Sequence, residues 1–141
     1  MKPNAIMMML GGLLLMAVAF LGDAETPDKP DNPVIPGVDD GRRVLIVYES
    51  EDKPTYPIGQ AMVLDSAIFR EYLATKCDPD GWRFEDQNVD TSHMDEVWQR
   101  WLKRDRESLP WIMISSGTKK AEGPLPLTIE LTQALIDGVI K

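Results

Sequence analysis

The residue types that carry most covalent and metal chemistry are scarce in this chain, which has one cysteine, Cys77, and one histidine, His93. A single thiol excludes an intramolecular disulfide, a dithiol cycle and a cysteine-based zinc cluster, and a single imidazole excludes any site built on two. Cys77 falls at the end of an expected helix, beside Asp78 and Asp80. The negative helix end and both carboxylates oppose a thiolate, so a raised pKa is expected. A structural or incidental thiol is the plainer reading. The alternative is a reactive thiol that forms mixed disulfides with a small thiol or a second protein.

Other groupings are weaker. Asp78-x-Asp80-Gly81 opens like a calcium loop, but the third acid and the bidentate Glu are missing, so a turn is expected. Ser115 to Lys120 is rich in hydroxyls and lysines without the glycine spacing of a phosphate loop. Arg100, Lys103, Arg104 and Arg106 gather on one expected helix, where Glu96 can pair with Arg100 and the cations complement the helix C-terminus. No G-x-S-x-G, H-E-x-x-H or N-x-[ST] pattern occurs, and no cofactor or metal is implied.

The chain has 141 residues, 23 acids against 15 bases, and a net charge of -8. Without a basic block its field repels phosphate backbones, so nucleic acid is not an expected partner. Residues 1–23 read as a signal peptide or signal anchor: Met1-Lys2 precedes an uncharged, mostly apolar run from Ala5 to Leu21. As a helix this run would reach roughly 25 Å, close to the thickness of a hydrocarbon core, so cleavage and retention both stay open. Lys2 before it and Asp23, Glu25 and Asp28 after it place the N-terminus inside. The remainder is expected outside the cytoplasm: periplasmic, on the cell surface or secreted.

Residues 24–41 form a proline-rich acidic linker, with Pro27, Pro30, Pro33 and Pro36 at the period of a polyproline II helix. Fixed φ angles and repelling carboxylates make it a semi-rigid, solvated stalk. A proline-rich ligand is the alternative, although acids stand where such ligands usually carry bases.

Residues 42–141 are the folded domain. Arg43 to Glu49 is a β-branched apolar run of the kind buried on both faces, hence a central strand. Ser50 to Gly59 reads as a polar loop and Gln60 to Leu64 as a helical turn. Ser66 then caps a helix to about Lys76 with Ile68, Phe69, Tyr72 and Leu73 on one face. Trp82 to Asp86 alternates as a half-buried strand does. Ser92 and Asp95 suggest a capping box for a helix to about Arg106, burying Val97, Trp98, Trp101 and Leu102. Trp111 to Ser115 is an apolar strand headed by Leu109-Pro110, and a turn leads to an edge strand at Lys120–Gly123. Thr128 caps a last helix with Leu131, Leu135 and Val139 as its buried stripe.

This β-α-β-α-β-β-α order, with Leu109-Pro110 before Trp-Ile-Met-Ile-Ser and a hairpin ending Gly-Pro-Leu-Pro, resembles the thioredoxin-like fold across residues 42–141. The resemblance implies an α/β three-layer sandwich around a central mixed sheet. It also implies a cis peptide before Pro110, facing the loop after the first strand. Catalytic members carry Cys-x-x-Cys in that loop; here it is Glu49-Ser50-Glu51-Asp52-Lys53-Pro54-Thr55-Tyr56-Pro57-Ile58, without cysteine. The family's dithiol reaction therefore does not transfer. The expectation is a non-catalytic protein-interaction or structural module using Leu109, Pro110, Tyr56 and Pro57 as its surface, with a protein partner and, through residues 5–21, the membrane if uncleaved. The alternative is a single-cysteine redox protein acting through Cys77. Glu51, Asp52 and Tyr56 could also bring an acid/base site to Pro110.

Overall fold

The computed structural model describes residues 41–141. The hydrophobic leader, its helix and membrane role, and most of the proline stalk lie outside these residues. The described residues form an α/β fold of four strands and four helices. In chain order these are β1 (Arg42–Tyr48), α1 (Ile58–Asp65), α2 (Ala67–Lys76), β2 (Trp82–Asp86), α3 (Glu96–Leu102), β3 (Trp111–Ser116), β4 (Lys119–Pro124) and α4 (Ile129–Val139). A single 3-10 turn, Lys53–Thr55, sits in the β1–α1 loop.

The sheet runs β2-β1-β3-β4. β1 lies parallel to β2 and antiparallel to β3, and β4 is antiparallel to β3, so β3 opposes the other three. Val44 to Val47 are fully buried, as expected of a run apolar on both faces. Alternation along β1 and β3 divides two cores. Val44, Ile46, Ile112 and Ile114 meet side chains of α1, α2 and α4 on one face. Leu45, Val47, Trp111 and Met113 meet α3 on the other. Two helical layers therefore enclose the sheet. Trp98 and Trp101 fill the second core edge to face, with ring centroids 5.6 Å apart.

Several boundaries differ from those expected of the sequence, each for a local reason. The first helix starts at Ile58, because Pro57 stands just before it and the 3-10 turn shortens the loop. Ser66, extended at ψ 117°, separates α1 from α2. Its hydroxyl accepts from the Phe69 amide at 3.0 Å, and Arg70 reaches back to the Leu64 carbonyl at 2.7 Å, so the junction satisfies both helix ends. α3 is shorter than expected at both ends. The Ser92 amide donates to Asp90 Oδ1 at 2.9 Å in a preceding turn, and the helix begins after Asp95 without a side-chain cap. At the other end the Arg106 guanidinium donates to the Leu102 carbonyl at 3.1 Å, occupying an acceptor that another helical turn would use.

Two buried stripes also differ. Ile68 is 75% exposed, while Phe69 and Leu73 are fully buried. In α4 the inward face is Thr132, Ile136 and Val139, and Leu131 is 56% exposed. Thr132 is buried because its hydroxyl donates to the Thr128 carbonyl at 2.7 Å. The Leu109–Pro110 peptide is cis, the state that the resemblance implies.

Candidate functional site

One end of the sheet gathers the C-terminus of β1, the loop after it, the start of α1, the Leu109–Pro110 segment and the chain leaving β4. The loop is closed by its own side chains. The Glu49 amide donates to the Tyr56 hydroxyl at 2.9 Å and that hydroxyl donates to the Glu49 carbonyl at 3.2 Å. Burial pushes the Tyr56 phenol up, only partly offset by its bond to the Glu49 backbone. The Ser50 amide donates to Asp86 Oδ2 at 2.7 Å, tying the loop to the end of β2. Hydrogen bonds from Ser50 and Asn88 hold the Asp86 carboxyl below the ordinary range.

The β4–α4 connection docks on the same end. The Leu125 amide donates to the Pro110 carbonyl at 2.9 Å, and the buried Gln60 amide of α1 donates to the Leu125 carbonyl at 2.5 Å. At Gly59 a Cβ would lie 1.8 Å from the Leu127 carbonyl oxygen, so the start of α1 touches the chain just before α4. Only glycine permits that approach. Ile58 and Met62 of α1, with Leu127 and Leu131 at the start of α4, remain exposed, Ile58 at 82%. Ile58 and Met62 are spaced four apart and so lie on one side of α1, while Leu127 stands just before the Thr128 cap of α4. This apolar surface was hidden in the sequence, because Leu131 fits a helical stripe as well as Thr132 does.

An open cleft of about 550 Å³ lies on the other flank of the loop. Asp52 and Gln87 line it from one side, and Lys103, Arg104, Arg106 and Leu109 from the α3–β3 connection. Arg104 is held by Glu122 of β4 at 2.6 Å, and Arg106 by the carbonyls ending α3. Arg100 pairs with Glu96, as the spacing implied. The cations expected on one helix face thus divide between ion pairing, helix capping and the cleft.

Of the expected surface residues, Pro110 is buried, Leu109 and Tyr56 are half-buried, and Pro57 is exposed. Leu109 and Asp52 both line the cleft, whereas the Tyr56 hydroxyl is committed to the Glu49 backbone. Cys77 lies elsewhere. The Asp78 amide donates to the Arg42 carbonyl at 3.1 Å, which places the thiol at the start of β1, while Trp111, next to Pro110, pairs with Val47 near its end. Arg42 and Val47 are about 17 Å apart along an extended strand. Cys77 is 5% exposed. Burial first, then Asp78, pushes its thiol up to about 11, against a smaller opposing pull from Arg42. His93 is exposed in the turn before α3. Asp78 is engaged by Arg42 at 3.0 Å, and no group of three or more His, Cys, Asp or Glu suited to a metal occurs among the described residues. Among them, too, no helix is long and apolar enough to cross a membrane.

Compared with protein families, with curated sequences and with solved structures, the chain finds no match in any of the three.

Proposed function

We propose that residues 42–141 are a thioredoxin-like domain without dithiol activity, held outside the cytoplasm on the acidic stalk and serving as a protein-interaction or structural module. The sheet order β2-β1-β3-β4, with β3 opposed to its neighbours, supports the fold assignment. The observation that carries the function is the separation of thiol and loop. The end of the sheet where the family places its chemistry holds no cysteine, and the one thiol is buried near the opposite end of β1. In place of a dithiol that end presents exposed Ile58, Met62, Leu127 and Leu131 on one flank of the loop and a polar cleft on the other. Exposed large apolar side chains gathered at one end of a fold are what protein-interaction surfaces have.

The test is a pull-down of the full chain from its native envelope fraction, alkylated at lysis, comparing wild type with Cys77→Ser and with the surface pair Ile58→Asp/Leu127→Asp. Expected is a partner retained by Cys77→Ser and lost by the surface pair. Partners that vanish with Cys77→Ser, or that reductant releases, would replace this proposal with the single-thiol redox alternative.

A further inference from the structure

Among the described residues β2 forms one margin of the sheet and pairs with β1 alone. At one end of that pairing the Val44 amide donates to the Gly81 carbonyl at 2.9 Å, and at the other the Gln87 amide donates to the Tyr48 carbonyl at 2.8 Å. Backbone polar groups alternate sides from residue to residue along a strand. Residues 81, 83, 85 and 87 therefore face β1, and Trp82 and Phe84 turn N–H and C=O to the open edge, while the Asp86 carbonyl accepts from the Val89 amide at 3.1 Å in the turn that follows. Side chains alternate across the sheet in the same way. Arg83 and Glu85 share the face covered by α3, where Arg83 Nη1 lies 3.3 Å from Glu85 Oε1 and the guanidinium sits 5.5 Å from the Trp98 ring centroid. Arg83 Nε is buried there without a hydrogen-bond partner among the described residues. On the other face Trp82 and Phe84 are only half-buried, edge to face with centroids 5.8 Å apart.

We infer that this edge is a two-fold self-association surface, on which β2 of a second copy of this chain docks antiparallel with Phe84 at the axis. In that register Phe84 exchanges both outward hydrogen bonds with its counterpart. Arg83 then stands opposite the partner's Glu85 in the closer, non-hydrogen-bonded position, where Cα atoms are about 4.5 Å apart. The charge pattern selects this register. Centring the axis on Arg83 or on Glu85 sets like charges face to face and turns the amides at the axis away from the partner strand. An antiparallel, isologous pairing uses up both edges and closes at two copies. The opposite margin is less suited, because Pro124 of β4 offers no N–H.

The experiment is sedimentation of the full chain in detergent micelles for wild type, Arg83→Glu, Glu85→Arg and an equimolar mixture of the two variants carrying different tags. Wild type is expected to be a dimer, each reversal to weaken it about tenfold or more, and the mixture to recover a heterodimer close to wild-type affinity. A wild-type monomer at about 100 µM overturns the inference. So does a dimer indifferent to both reversals, or a mixture that recovers nothing. Should either reversal fail to fold, Phe84→Cys in a Cys77→Ser background decides. Its disulfide dimer should form much faster than that of Thr75→Cys in the same background, since paired strands bring Cα atoms within disulfide reach. Equal rates count against the edge.

Discussion

At the scale of single residues, Gly59 and Cys77 make the sharpest demands. The Cβ of a Gly59→Ala variant would fall 1.8 Å from the Leu127 carbonyl oxygen, so α1 and the chain before α4 must separate. Overpacking of this kind costs about 1–3 kcal/mol, and a urea titration should show it as a lower midpoint. An unchanged midpoint would mean the two segments part freely. For Cys77, a native pKa of about 11 against an ordinary 9.0 makes the neutral thiol the folded form. Its contribution to stability is complete below pH 9.0 and is lost as pH rises through about 11, because the unfolded chain gives up the proton first. Alkylation of the folded protein at pH 7 should be slow and should accelerate on unfolding. Rapid labelling of the native state would contradict both the burial and the raised pKa.

At the scale of elements, α4 separates helical periodicity from actual orientation. Its sequence offers two stripes, Leu131 with Leu135, and Thr132 with Ile136, and both satisfy the spacing of a buried face. The structure buries the second, with Ile136 fully enclosed and Leu131 more than half exposed. Ile136→Ala should therefore cost about 2–5 kcal/mol by thermal or urea unfolding, and Leu131→Ala within about 0.5 kcal/mol of nothing. Comparable losses would put the helix in the wrong rotation. The helix starts at Ser66 and Thr128 were legible because a hydroxyl accepting from the third amide onward is a local device. The α3 boundaries were not, since Arg106 folding back on the Leu102 carbonyl depends on where the chain goes next.

At the scale of the whole molecule, acid should loosen the domain through a few carboxylates. Hydrogen bonds from Arg42 lower the Asp78 carboxyl, bonds from Ser50 and Asn88 lower Asp86, and bonds from Lys76 and Tyr72 lower Asp137. A carboxyl lowered by folding adds stability above its unfolded pKa, about 3.9, and loses it as pH falls toward the native value. The melting temperature should therefore drop as pH falls below about 4, and Asp86→Asn should narrow the difference between pH 7 and pH 3. An equal drop in that variant would assign the acid sensitivity elsewhere.

Element types were already decided within short stretches of the chain. A four-residue apolar run, three of it β-branched, dictates the central strand, turns form at Asp78-Pro79-Asp80-Gly81 and Gly117-Thr118, and one thiol cannot run a dithiol cycle; each rests on chemistry within a few residues. Strand order, the direction of β3, which stripe of α4 turns inward, and the cleft that both Asp52 and Leu109 line were settled by the packed fold. Each depends on surfaces far apart in the chain becoming neighbours, and an amphipathic helix has no fixed rotation until something packs against it.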